Sequence, residues 1–230
     1  MRDGQKERNA ITMKHATLKR SCVLLALVLL LGALVACGGS DAPLHAELDF
    51  TAVDPSAVTE TDAKTDYVKL TVADYGDIII RLYPEVAPKT VDNFKALVAK
   101  GHYDGVIFHR VITGFVTQAG MRPDGSTGNG AKSIKGEFRA NGYENNLKHI
   151  RGVVSMARTP ISFDSASDQF YICHKSNDST ANLNGQYAGF GYVVSGMDVV
   201  DAIATVATNA DDRPFVDVVI EKACFVTVNP

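Results

Sequence analysis

The stretch that most restricts how this chain can fold is F-H-R-V-I-T-G-F-V-T-Q-A-G, residues 108–120. Alternation predicts a strand with Phe108, Arg110 and Ile112 on one face. Gly114 breaks the run, and Phe115 to Gln118 restart it with Gln118 facing as Val116 does. Two short strands therefore bring Arg110, Phe115 and Gln118 together. An isolated strand arginine is ordinarily a surface ion pair. An arginine and a glutamine set among aromatic and aliphatic neighbours read instead as a site.

The surrounding chain supplies further short strands. Tyr67 to Ala73 alternates, Asp74-Tyr75-Gly76 is turn chemistry, and Asp77 to Leu82 is apolar and β-branched, which together predict a hairpin. Pro88 opens a helix whose Val91, Phe94, Leu97 and Val98 share one face before Gly101 stops it. Residues 152–157, 169–173 and 187–194 read as strands, with Gly189 and Gly191 at tight bends. Met197 to Val206 reads as a second helix and Phe215 to Val228 as a final strand. Many short strands, glycine bends and two helices predict a mainly β closed sheet with helical plugs.

The amino end follows different rules. Lys14, Lys19 and Arg20 precede an aliphatic run from Val23 to Val35, and Leu34-Val35-Ala36-Cys37 closes it. The run is shorter than the roughly 18 residues a spanning helix needs. Residues 1–36 are therefore expected to be a signal peptide, and the L-V-A-C ending resembles a bacterial lipobox, with Cys37 lipidated and extracytoplasmic. Several acyl chains, each methylene worth about 0.8 kcal/mol when buried, would hold the chain stably at a bacterial membrane. Residues 37–66, with seven acidic groups against Lys64 alone, read as a flexible tether, with a short ordered turn around Asp54-Pro55 left open. From residue 67 to residue 230 about 160 residues remain, enough for one domain that buries roughly 70% of its unfolded surface.

Charge excludes some partners. The chain carries 23 Lys+Arg and 26 Asp+Glu; six basic and two acidic groups lie in residues 1–36, leaving 17 and 24, net −7. No basic stripe remains for nucleic acid. Gly125 to Ser133 comes within one residue of a phosphate-binding loop, but Gly136 follows three residues after Ser133, where a helix would have to run, so no nucleotide is expected. The histidines show no short metal spacing, and Cys173 and Cys224 could be either a disulfide or two free thiols.

The run at 108–120 resembles the signature of the cyclophilins, peptidyl-prolyl cis/trans isomerases, close to F-H-R-[VI]-I-x-G-F-[MV]-x-Q-G-G. G-N-G-A-K-S-I-K-G-E-F, L-K-H-I-R-G-V-V-S-M-A-R, D-Q-F-Y-I-C and L-N-G-Q-Y-A-G-F-G have counterparts there too, so the resemblance extends nearly from Tyr67 to Val228. It implies an eight-stranded antiparallel barrel capped by two α-helices, acting as a monomer on X-Pro segments of protein clients without cofactor or metal. By the same resemblance Arg110 is catalytic, Phe115, Val116, Tyr171, Leu183 and Tyr187 form the proline pocket, and Gln118, Gln169, Ala157 and Arg158 hold client backbone. Departures include Arg158 where the family often has Asn, Asn182 for Trp, and Tyr171 and Tyr187 for Phe and His, which would put two hydroxyls on the rim. The rival reading is a lipid-tethered module that grips proline segments without turnover mattering.

Overall fold

In the computed structural model, which describes residues 48–127 and 131–229, one strand organises the sheet. This is the last strand, β9 (Val219–Val228), ten residues long. The others, in chain order, are β1 (Val58–Thr61), β2 (Tyr67–Val72), β3 (Gly76–Leu82), β4 (Val106–Ile112), β5 (Val116–Met121), β6 (Val153–Met156), β7 (Phe170–Cys173) and β8 (Gly189–Ser195). Antiparallel neighbours run β9-β2-β3-β8-β6-β7-β5-β4, and β4 returns to β9 through Val106↔Ile220 and Ile107↔Val219. The eight strands thus close a barrel, which removes the unpaired sheet edge that would otherwise invite aggregation.

Three helices accompany it: α1 (Pro88–Val98), the single turn α2 (Asp178–Ala181) and α3 (Met197–Ile203). The resemblance implied two, and α3 is three residues shorter than its periodicity suggested. The predicted face of α1, Val91, Phe94, Leu97 and Val98, is buried. Phe94 plugs the barrel, packing on Tyr103, Phe170 and Phe190 at ring separations of 4.9, 5.4 and 5.1 Å. Val199, Val200 and Ile203 of α3 join the same core. Ala87, the residue before α1, offers no side-chain cap, so the buried Glu137 accepts from the backbone N–H groups of Lys89 and Thr90 and from the Thr90 hydroxyl.

Cys37, the proposed signal segment and residues 38–47 lie outside the described residues. The described part of the expected tether, 48–66, corrects that reading, because it is packed on the barrel. β1 pairs with the far half of β9, Val58↔Val228 to Thr61↔Phe225, as a ninth strand outside the ring. Val53 and Val58 cover Ile79, Val194 and Val226, and Phe50 packs on Tyr192 at 4.6 Å. The acidic groups are not solvated repeats: Glu60 bridges Lys69 and Lys222, both at 2.6 Å, Asp66 meets Lys95, and Asp49 meets Arg81. Scattered apolar residues suffice here because the barrel exterior offers them an apolar strip. Cys173 and Cys224 are free thiols.

Candidate active site

β4 and β5 do not pair residue for residue. Ile107 lies opposite Met121, Phe108 opposite Ala119 and Arg110 opposite Gln118, so Gly120 is extra on one strand and His109 on the other. An extra residue reverses the alternation locally. The expectation that Phe108 and Arg110 share a face is thereby corrected: Phe108 is wholly buried in the core, whereas Arg110 is exposed beside Gln118. Gly120 makes this geometry available at φ +114°, where a Cβ would stand 2.7 Å from the Gln169 Cα. The turn between the strands uses Gly114 at φ +81°, and its Phe115 N–H donates to the Ile112 carbonyl.

Arg110 opens onto a hollow of about 160 Å³ whose other walls are Phe115, Val116, Gln118, Ala157, Arg158, Tyr171, Leu183 and Tyr187. Tyr171 is carried opposite Gln118 on β7, and the Ala157 N–H donates to the Gln169 carbonyl at 2.9 Å. Leu183 owes its place to α2. Asn177 caps that helix, accepting from the Thr180 N–H while its own N–H donates to the Thr180 hydroxyl, and its side-chain amide donates to the Gly114 carbonyl at 2.8 Å. That reciprocal box ties the helix to the β4–β5 turn, and its Asn-x-x-Thr spacing is a signal the sequence carried unread.

Gln169 is the one expected site residue outside this hollow. It lines an adjoining one of about 220 Å³ with Thr127, Thr159, Ser165, Ser167 and Asp168, and the two hollows share Gln118, Ala157 and Arg158. The Gln118 amide nitrogen donates to the Gln169 side-chain oxygen at 2.9 Å, which joins them. One feature of the rim is corrected: the Tyr171 hydroxyl is buried, turned inward near Ser155 and Cys173, so only Tyr187 can present a hydroxyl there. The two rings meet edge to face at 5.9 Å.

Electrostatically the site holds two differently treated arginines. The Nε and Nη2 of Arg110 both lie 3.2 Å from the Asp212 carboxylate, an acceptor 102 residues away that nothing in the local sequence pointed to. Arg158 has no carboxylate partner among the described residues. It donates to the Gln186 and Thr159 carbonyls and lies against the rings of Tyr187, Phe163 and Phe138. Neighbouring nucleophiles and bases are silenced by burial. The Cys173 thiol is pushed up to about 12 and His149 down to about 4, the latter bonded to Ser155 and Asn184. His109 is also depressed by burial, and its buried Nδ1 has no hydrogen-bond partner among the described residues. Among the described residues no group of three His, Cys, Asp or Glu could hold a metal ion, and no helix is long and apolar enough to cross a membrane.

Known proteins share this arrangement of strands. The family model for the cyclophilin type peptidyl-prolyl cis-trans isomerases matches residues 67–224. Peptidyl-prolyl cis-trans isomerase B of Escherichia coli is 43% identical over 158 residues, covering 64% of this chain and 93% of that protein. A peptidyl-prolyl cis-trans isomerase of Schizosaccharomyces pombe is 42% identical over 149 residues, covering 64% and 92%. The crystal structure of a cyclophilin type isomerase from Cryptosporidium parvum, obtained in the presence of the dipeptide Ala-Pro, aligns with a TM-score of 0.61 at 28% identity over 70% of this chain and 99% of that one. A closed eight-stranded barrel, a matched segment that begins at β2 and ends within β9, and relatives above 40% identity lead to one conclusion: this chain belongs to the cyclophilin type peptidyl-prolyl cis-trans isomerases.

Proposed function

We propose that this isomerase accelerates rotation about X-Pro bonds in proteins folding outside the cytoplasm, held at a bacterial membrane by lipid on Cys37. The observation that carries the catalytic part is the hollow in which the Arg110 guanidinium, permanently charged, faces an apolar, aromatic wall. Twisting an X-Pro amide must break its resonance, a barrier of about 18 to 20 kcal/mol, and needs no covalent intermediate. As resonance is lost the prolyl nitrogen pyramidalises and its lone pair becomes an acceptor. Arg110 can donate there, and its fork can reach a neighbouring carbonyl as well.

Phe115, Val116, Tyr171, Leu183 and Tyr187 would take the proline ring out of water. Because the Gln118 amide nitrogen is engaged by Gln169, the Gln118 oxygen and the Gln169 nitrogen are left to accept from and donate to client backbone. Ala157 and Arg158 extend that backbone cleft. A module that merely gripped proline segments would gain nothing from a donor aimed at the twisting bond.

Two measurements test the reading. In a proline-limited isomerisation assay the protein should speed exchange of a short X-Pro peptide without metal or nucleotide, and Arg110→Ala should lower the rate about 10² to 10³-fold. No acceleration by the wild type would refute it. For the anchor, mass spectrometry of the membrane fraction should find an acylated peptide beginning at Cys37; a mature chain starting elsewhere with unmodified Cys37 would reject lipidation.

A further inference from the structure

We propose that Arg158 gives this isomerase a preference for clients with an acidic side chain next to the X-Pro bond; the inference rests on the isomerase reading of the same hollow. Arg158 follows β6 and is shared by the two adjoining hollows, so a peptide lying across both must pass its guanidinium. The side chain is already fixed. Its Nε donates to the Gln186 carbonyl and its Nη1 to the Thr159 carbonyl, each at 3.0 Å. Its guanidinium carbon lies 4.6 Å from the Tyr187 ring centre, 4.9 Å from Phe163 and 5.3 Å from Phe138.

Those partners hold the cation without cancelling its charge. Arg81, Arg110, Arg151 and Arg213 each meet an aspartate, but none of the ion pairs among the described residues includes Arg158. Carboxylates adjoining its contacts have partners of their own. Asp164, next to Phe163, accepts from the Gly136 N–H and the Asn141 amide; Asp168, which lines the adjoining hollow, pairs with His102 at 3.0 Å; and Glu137, next to Phe138, caps α1. Carbonyl oxygens occupy Nε and Nη1, and the guanidinium fork has five N–H donors, so donors remain for a carboxylate. A client acid would therefore gain a charge-assisted hydrogen bond to a group whose ordering cost is already met in the free protein. A client lysine at the same place would meet uncompensated repulsion.

The test is a ratio within one enzyme, so general changes in rate cancel. Peptides with one X-Pro core and Glu, Gln or Lys at each of the two positions before the proline and the one after it are turned over by the purified protein. At one position at least, kcat/KM for Glu should exceed that for Gln by about twofold to fivefold at low salt, and Lys should fall below Gln. The Glu-to-Gln ratio should shrink towards unity in about 0.5 M salt and in Arg158→Gln, and should persist, reduced, in Arg158→Lys. Ratios near one at all three positions in the wild type, or a ratio unchanged in Arg158→Gln, would overturn the proposal. If the wild type turns over none of the peptides, the isomerase reading fails separately, and the Glu-to-Gln ratio of Kd from fluorescence titration of the same peptides decides the role of Arg158.

Discussion

Replacing Asp212 by glycine should lower kcat/KM for an X-Pro peptide by about 1.4-fold to fivefold, a small fraction of the loss expected from Arg110→Ala. The magnitude follows from the exposure of the pair. Both Arg110 contacts to the Asp212 carboxylate are 3.2 Å long, and the side chains are 45% and 38% exposed. Ion pairs so open to water are worth about 0.2 to 1 kcal/mol, which changes the time Arg110 spends in this orientation by a factor of roughly 1.4 to 5. Glycine is the right deletion because Asp212 has φ +63°, where alanine would add strain of its own. The backbone bonds of the loop, Val111 N–H to the Asp212 carbonyl at 2.8 Å and the Asp212 N–H to the Asn209 carbonyl at 3.1 Å, are indifferent to the side chain. Asp212→Asn tolerates the same φ and keeps an acceptor, so it should lose less. The proline-limited assay reads the rate, and urea unfolding confirms that stability is held. A glycine variant as slow as Arg110→Ala would show that Asp212 does more than orient the arginine, and a variant faster than wild type would show that the pair restrains Arg110 away from the bond.

Three further outcomes are expected. Glu137→Ala should destabilise the fold by about 3 kcal/mol or more, read from the urea midpoint, because the α1 amino end loses a buried charged acceptor for two N–H groups and the Thr90 hydroxyl; an unchanged midpoint would contradict this. His149 is pushed down to about 4 by burial. Since an unfolded histidine titrates near about 6.5, the unfolded state takes the proton first: stability is full above about pH 7 and falls towards pH 4, by up to about 3 kcal/mol from this residue. His109 and His174, depressed by the same cause, add to the slope, and His149→Gln should flatten part of it. A chain begun at Tyr67 should unfold at lower urea than one retaining residues 48–66, since losing β1 bares an edge of β9 and uncovers Ile79 and Val226; equal midpoints would mean that the segment contributes nothing.

Sequence alone determined the parts whose signal is local. The β2–β3 hairpin and the buried face of α1 are written in a period of two or 3.6 within about a dozen residues, and the structure has them where the periods put them; of the strand–glycine–strand run the period gave the two strands and their turn but not the faces. The residues that line the hollow were legible for a different reason: their residue types recur in a known motif, although composition alone would have left Val116 or Leu183 as ordinary core. Tertiary structure decided what depends on distance through space. Alternation could not foresee that His109 and Gly120 would be extra residues, because a bulge is settled by what each strand pairs with, and with His109 extra Arg110 no longer shares the buried face of Phe108. Nor could residues 48–66 reveal their docking, since their few apolar side chains have value only against the strip formed by Ile79, Val194 and Val226. Asp212 reaches Arg110 and Glu137 reaches the start of α1 across 102 and 47 positions, and only barrel closure brings such separated groups within hydrogen-bond range.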